Sequence, residues 1–198
     1  MDWSILHALN GFLAHHDAVE DPYADYVRFS ELLFLGLLAW IFIASRGYAR
    51  RAARRGAVAA GLSAGLSLLL ASQIANLVGR PRPFVDEPST VHLLVAHAAD
   101  PGFPSDHATA AFAIATAILL RNRRWGLLAL AMAVALAVGR VAVGVHFPTD
   151  VLAGAALGSA TALLLYLPPV RRPLHRLADR AGGVWDGATS ALVSAARS

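Results

Sequence analysis

Long apolar stretches separated by short charged segments dominate this chain, and they predict a bundle of membrane-spanning helices. A helix needs roughly 20 apolar residues to cross a bilayer. Stretches close to that length cover residues 26–45, 56–78, 126–145 and 150–167. A further apolar run over 107–120 is shorter, so we expect one of its ends to start in a recess below the headgroups. The pattern predicts an all-α, polytopic membrane bundle of about five transmembrane helices.

The first 25 residues carry apolar side chains at helical spacing, over too short a length to span a bilayer. These side chains are Trp3, Ile5, Leu6, Leu9, Phe12 and Leu13. We predict an N-terminal interfacial helix. His15 and His16 follow it and could bind a metal, but no third ligand stands at a fixed spacing, which favours a solvated loop.

The composition supports a membrane protein and excludes several kinds of chemistry. The chain is 57% hydrophobic and 15% charged, whereas soluble domains have about 25% charged residues. It has no cysteine, which excludes disulfides, thiol nucleophiles and thiolate metal sites. A pI near 10.3 would suggest nucleic acid in a soluble protein, but here the charge follows membrane topology, so no nucleic-acid partner is expected.

The arginine distribution predicts the orientation in the membrane. All 17 basic residues are arginine, and most lie in 46–55, in 121–124 or beyond 170. Five spans place these segments on one side, which is cytoplasmic because cytoplasmic loops retain arginine. We predict one membrane-embedded domain over 1–169, ended by two prolines, and a basic cytoplasmic tail over 170–198. Four arginines remain near the opposite face, namely Arg28, Arg80, Arg82 and Arg140. The last three are candidates for a role other than topology.

Three segments with complementary chemistry meet at that extracytoplasmic face: residues 79–84, 103–107 and 140–150. Arginine side chains bind phosphate oxygens in pairs. Ser105 precedes a predicted helix, whose free N–H groups favour an anion. Ionisable groups at membrane depth are costly unless they are paired or functional. Together the segments indicate a phosphate site.

Phosphoryl transfer also needs a nucleophile and a proton donor. His146 precedes Phe147 and Pro148, so we expect its imidazole on a loop. Asp150 follows in the next helical turn, where it could accept the other imidazole N–H and orient the ring. His107, on a separate segment, could protonate the leaving oxygen.

Each feature also has a simpler interpretation. A histidine near a membrane surface is often an interfacial anchor, and RPRP can be a rigid turn. The His146–Asp150 spacing would suit a metal pair, but neighbouring arginines repel cations. Because all three segments fall on one face, we favour the phosphate site.

These segments resemble the three-part signature of the phosphatidic-acid-phosphatase type 2 superfamily of membrane lipid phosphatases. Arg82-Pro83 matches its K-x6-RP element, residues 104–107 match PSGH, and the third element matches at Arg140, His146 and Asp150. The chain departs from the pattern at three positions: Ala75 replaces the lysine, Asp106 the glycine and Gly139 the serine. Arg80 is the candidate substitute for the lysine.

Within the superfamily, FPSDHAT, HAAD at 97–100 and the short N-terminus resemble the bacitracin-resistance (BcrC-type) undecaprenyl-diphosphate phosphatases. The resemblance implies hydrolysis of undecaprenyl diphosphate to undecaprenyl phosphate outside the cytoplasm, without metal or other cofactor. It implies that His146 forms a phosphohistidine, that Asp150 orients it and that His107 protonates the leaving group. The phosphate-binding residues would be Arg82, Arg140, Ser105 and Arg80.

Three further polar residues are candidates for supporting this site. Glu31 either assists an arginine or is a carboxylate at the interface, Asp106 replaces the family glycine, and His97 lies with His92 in a loop that could cover the site. The sequence leaves open a phosphatase of phosphatidylglycerophosphate, phosphatidic acid or a shorter prenyl diphosphate. A transporter or structural membrane protein with a degenerate site is the alternative from another class. Nothing in the sequence indicates the oligomeric state.

Overall fold

The computed structural model describes residues 1–44 and 49–195, and within these ranges the protein is helical, with no strand. Four of its helices are long and apolar enough to cross a membrane, namely α2, α3, α6 and α7. The α5 helix is apolar but has only 14 residues. The predicted all-α membrane bundle is confirmed. The helices are α1 Asp2–Ala14, α2 Asp17–Ala44, α3 Ala49–Val78, α4 Pro83–Asp86, α5 Asp106–Leu119, α6 Arg123–Ala142, α7 Pro148–Tyr166 and α8 Pro168–Ala195.

Two helices begin earlier than the spans that we predicted within them, because charged residues expected in loops are helical. The α2 helix begins at Asp17 rather than near residue 26, with Asp17 and Glu20 in its first turn, where negative charge favours a helix N-terminus. The α3 helix begins at Ala49 rather than near residue 56. Arg46 and Arg197 lie outside the described residues.

The basic tail predicted after residue 169 forms helix α8, which packs against the first turns of α3. Arg54 donates two hydrogen bonds of 2.8 Å to the Asp186 carboxylate. Arg55 donates to Asp179 at 2.9 Å. These ion pairs compensate positive charge at the N-terminal end of α3, where the helix dipole disfavours it.

The short helix α5 lies at the centre of the bundle and packs against α3, α6 and α7. Small residues let the helices approach closely. A Cβ placed on Gly158 of α7 would lie 2.1 Å from the Thr109 carbonyl oxygen of α5. The two helices whose first turns carry His107 and Asp150 are thereby held in contact.

We expect Gly158→Ala to lower the melting temperature measured in detergent, because the added methyl group would collide with the backbone of α5. Overpacking of this kind costs about 1–3 kcal/mol. The matched control is Gly65→Ala in α3, where nothing lies within 4 Å of the added Cβ. That control should be neutral or slightly stabilising, since alanine favours helices over glycine by about 1 kcal/mol. Equal effects of both substitutions would contradict the close α5–α7 contact.

The helix order defines two ends of the bundle. The site end contains the end of α3, the starts of α5 and α7, and the end of α6. The arginine end contains the start of α3, the turn between α5 and α6, and α8. The three motif segments therefore meet at the site end.

Candidate active site

His146 lies in the turn between α6 and α7, and its side chain is only 1% exposed. Gly144, with φ +83°, permits the turn after α6. The Nε2 atom of His146 lies 3.0 Å from Arg82 Nη1, and Nδ1 lies 2.9 Å from the Gly102 carbonyl oxygen. Because arginine only donates, Nε2 accepts that bond and Nδ1 carries the proton. The unprotonated nitrogen therefore faces Arg82, and in the resting structure its electron pair accepts the arginine N–H.

Asp150 lies in the first turn of α7, beside the imidazole. Its Oδ2 is 3.6 Å from His146 Nδ1 and accepts a hydrogen bond of 2.8 Å from the Phe147 N–H. Its Oδ1 accepts a hydrogen bond of 2.8 Å from Arg80 Nη1. The imidazole hydrogen bond that we predicted for Asp150 is made to the Gly102 carbonyl instead, since Oδ2 caps α7. Asp150 faces His146 as a nearby negative charge.

Arg82 is buried and held by several acceptors. Its Nε donates to the Asp100 carboxylate at 3.0 Å and to the Asp100 carbonyl at 3.1 Å. Its Nη1 also donates to the Val145 carbonyl at 3.2 Å. Since Pro83 follows as the first residue of α4, the backbone here is restrained as well. The guanidinium is thus fixed against His146.

Arg140 lies in the last turn of α6 and has a different environment. Its side chain is buried, yet neither Nε nor Nη2 has a hydrogen-bond acceptor among the described residues. A buried guanidinium without acceptors is costly. Arg140 and Arg82 both act electrostatically on His146, so their charges converge on one imidazole. Two guanidinium groups in this arrangement suit an anion with several oxygens.

His107 lies in the first turn of α5, on the other side of the site. Its Nε2 is 3.2 Å from Glu31 Oε1 of α2, so Glu31 contacts a histidine. Both side chains, with Asp106, line one end of a cavity of about 260 Å³. The remaining walls are mainly apolar and include Phe34, Leu35, Leu68, Ala111, Ile114 and Leu136.

The other predicted residues take distinct positions. The Ser105 hydroxyl caps α5 by accepting from the Ala108 N–H at 3.4 Å. The His97 ring centroid lies 6.4 Å from that of His146, so its loop lies next to the site. His92 instead pairs with α1, since its N–H donates to Asn10 Oδ1 at 2.8 Å.

Residues 56–173 match the model of the PAP2 superfamily, which is more than half of the chain. The chain belongs to the PAP2 superfamily. It is therefore a membrane phosphatase, and the family resemblance of the three motifs is confirmed.

Curated relatives and solved structures agree with this family assignment. The PAP2 protein is 33% identical to undecaprenyl-diphosphatase BcrC of Bacillus subtilis (strain 168), over 77% of this chain and 76% of BcrC. It is 38% identical to a lipid A 1-phosphatase of Rhizobium etli, over 48% of this chain and 43% of that protein. The crystal structure of a transmembrane PAP2 type phosphatidylglycerolphosphate phosphatase from Bacillus subtilis has a TM-score of 0.61 and 23% identity, covering 83% of this chain and 82% of that one.

Two site residues of the PAP2 protein were missed by sequence reasoning. The Gly102 carbonyl accepts from His146, and a Cβ at position 102 would lie 3.1 Å from Arg82 Cγ. Asp100 is the carboxylate partner of Arg82. Backbone acceptors have no sequence signal, but Asp100 ends the HAAD segment and was open to recognition as an acid beside an arginine-rich site.

Within residues 1–44 and 49–195, no group of three or more His, Cys, Asp or Glu side chains is placed to hold a metal ion. Metal-independent hydrolysis stays a prediction.

The pH dependence of the PAP2 protein should reflect the environment of His146. Burial, followed by the positive charges of Arg140 and Arg82, holds the pKa of His146 well below 6.5. The neutral nucleophile should therefore persist below pH 6.5, and the acidic limb of kcat/KM should lie below the usual histidine range. A fall of kcat/KM to half of its maximum at pH 6.5 would contradict this prediction.

The same pKa predicts a loss of native stability in acid. Below pH 6.5 the unfolded chain binds a proton that native His146 does not bind, so stability is full above pH 6.5 and falls as the pH drops toward the native pKa. His146→Gln removes this contribution, so its melting temperature should depend less on pH than that of the wild type.

Proposed function

We propose that this PAP2 protein hydrolyses undecaprenyl diphosphate to undecaprenyl phosphate and inorganic phosphate, recycling the carrier lipid of cell-wall synthesis. The observation that carries the proposal is the buried guanidinium of Arg140, whose Nε and Nη2 have no hydrogen-bond partner among the described residues and whose charge, with that of Arg82, acts on the neutral imidazole of His146. A terminal phosphate supplies the oxygens that these donors require. The name of the BcrC relative supports a prenyl diphosphate as the substrate.

In the proposed reaction, His146 Nε2 attacks the terminal phosphorus, and the bond from phosphorus to the bridging oxygen breaks. The leaving lipid phosphate takes a proton from His107, and a phosphohistidine remains. Water then attacks the phosphohistidine, giving its proton to His107 and releasing phosphate. Arg82, Arg140 and Ser105 hold the phosphoryl oxygens.

The apolar cavity beside His107 supports a lipid substrate. Its polar end contains His107, Glu31 and Asp106, and its walls are mainly aliphatic. A diphosphate at the arginines would place the adjoining carbon chain near this cavity. The leaving oxygen would then lie at the His107 end.

We further propose that the site end faces outward. Arg50, Arg51, Arg54 and Arg55 begin α3 at the opposite end, and arginine is retained on the cytoplasmic side. Because the chain has no cysteine, Ser89→Cys and Ser190→Cys can report one end each. In intact cells, a membrane-impermeant maleimide should label position 89 and not position 190. The reverse pattern would invert the orientation.

A second lipid phosphate as the main substrate is also consistent with the site. The cavity walls would accept an acyl chain as well as a prenyl chain, and one relative is named a lipid A 1-phosphatase. The candidate lipid substrates differ in the group that carries the phosphate, so their turnover rates separate them.

The decisive experiment is a substrate panel with purified protein and excess chelator. Phosphate release should be fastest from undecaprenyl diphosphate, compared with phosphatidylglycerophosphate, phosphatidic acid and farnesyl diphosphate. Faster release from another member would replace the proposed substrate. A strict requirement for added divalent metal would overturn the metal-independent mechanism, and no release from any member would favour a transporter or structural protein.

A further inference from the structure

The N-terminal helix α1 is bonded to the first turn of α7 through Asp2. The Asp2 carboxylate accepts from the Thr149 hydroxyl at 2.6 Å and from the Thr149 N–H at 3.3 Å. It also accepts from Arg80 Nη2 at 3.1 Å. Burial raises the pKa of Asp2, but hydrogen bonds from Thr149 and Arg80 outweigh it and leave the pKa below 3.8. Asp2 is therefore charged at neutral pH.

Arg80 connects this carboxylate to Asp150. Its Nη1 donates to Asp150 Oδ1 at 2.8 Å and to the Thr149 hydroxyl at 2.7 Å. Its guanidinium carbon lies 4.1 Å from the centroid of the Phe147 ring. Both terminal nitrogens of Arg80 are thus bonded to side chains of α1 and α7, and Arg80 bonds Oδ1 of Asp150 whereas His146 lies near Oδ2.

Ring contacts also connect α1 to the start of α7. Trp3 of α1 packs edge-on against Phe147, with ring centroids 4.8 Å apart. Arg80 is therefore held by two carboxylates and an aromatic face. Those partners also fix the start of α7, which carries Asp150.

We propose that Arg80 and Asp2 are positioning residues for catalysis: Arg80 fixes the Asp150 carboxylate relative to His146, and Asp2 acts through Arg80. This rests on the proposed phosphatase mechanism. It assigns α1 to the catalytic apparatus and gives Arg80 a role other than the phosphate contact that the sequence predicted. The phosphate would then be held by Arg82 and Arg140.

Steady-state kinetics separate the two roles of Arg80. As a positioning residue, Arg80→Gln should lower kcat by about 10²-fold, because small misplacements of catalytic groups are costly, and should leave KM within about three-fold. Asp2→Asn should lower kcat by about five-fold, the effect of losing one partly exposed ion pair, and Asp2→Glu should restore most of it. The double variant should be no slower than Arg80→Gln alone, since Asp2 acts through Arg80.

The control is Asp21→Asn, which removes an exposed carboxylate from α2 and should change neither constant. A rise in KM of ten-fold or more for Arg80→Gln with kcat retained would make Arg80 a phosphate ligand and overturn the proposal. An unchanged kcat for Asp2→Asn would also overturn it. If the wild type prefers a different lipid phosphate, the variants are compared on that lipid, so the substrate proposal can fail alone. If it releases phosphate from none, both proposals fail.

Discussion

Replacing His146 with alanine should abolish phosphate release, lowering kcat by at least about 10³-fold, as loss of a covalent nucleophile does. The expectation follows from the placement of Nε2, the imidazole nitrogen without a proton, which lies 3.0 Å from Arg82 Nη1. Rapid acid-free quenching of wild type with radiolabelled substrate should trap phosphate on the protein, and His146→Ala should trap none. Retention of activity within ten-fold would place the nucleophile elsewhere.

The matched variant is His107→Ala, which should lose the proton donor but keep the nucleophile. A substrate whose leaving group needs no protonation, such as p-nitrophenyl phosphate, should therefore restore the first step in His107→Ala, seen as a stoichiometric burst of p-nitrophenolate, while turnover stays slow because His107 also takes the proton of the attacking water. The same substrate should not rescue His146→Ala. Rescue of both variants, or of neither, would contradict the separate roles of the two histidines.

The helices were predictable where one apolar pattern decides the local structure. The spans over 126–145 and 150–167 agree with α6 and α7 to within a few residues. The cationic start of α3 was not predictable, because the closely spaced arginines of 50–55 are typical of a cytoplasmic loop. Two of these arginines form ion pairs with Asp179 and Asp186, more than 120 positions further along the chain.

The same limit applies to the site. Motif spacing predicted that Arg82, Arg140 and His146 would converge, because each lies at a helix end on the same side of the bundle. The Gly102 carbonyl and the Asp2 carboxylate were not predictable, since both act through contacts formed only after the helices pack. Asn10 is a further case: its Nδ2 donates to the His92 and Ala142 carbonyls at 2.7 and 2.8 Å, which ties α1 to the site loop.

Arg140→Met should inactivate the enzyme without destabilising it. Loss of a phosphate donor in a buried site typically costs about 10²–10³-fold in kcat. Stability should be unchanged or higher, because the substitution removes a buried positive charge whose Nε and Nη2 have no acceptor in the described part of the chain, and such groups are often stabilising to replace. Phosphate release and the melting temperature in detergent measure the two effects.

Arg82→Met supplies the contrast, because Arg82 is as buried as Arg140 but is bonded. Its removal leaves the Val145 carbonyl and His146 Nε2 without their donor, and each unpaired buried group costs about 1–3 kcal/mol. Both variants should lose activity, but only Arg82→Met should lower the melting temperature, by several degrees. A comparable fall for Arg140→Met would mean that Arg140 stabilises the resting fold. If both variants lose activity but Arg140→Met keeps its melting temperature, the buried charge of Arg140 serves substrate binding. The cost of that burial to stability is then offset only when an anion binds.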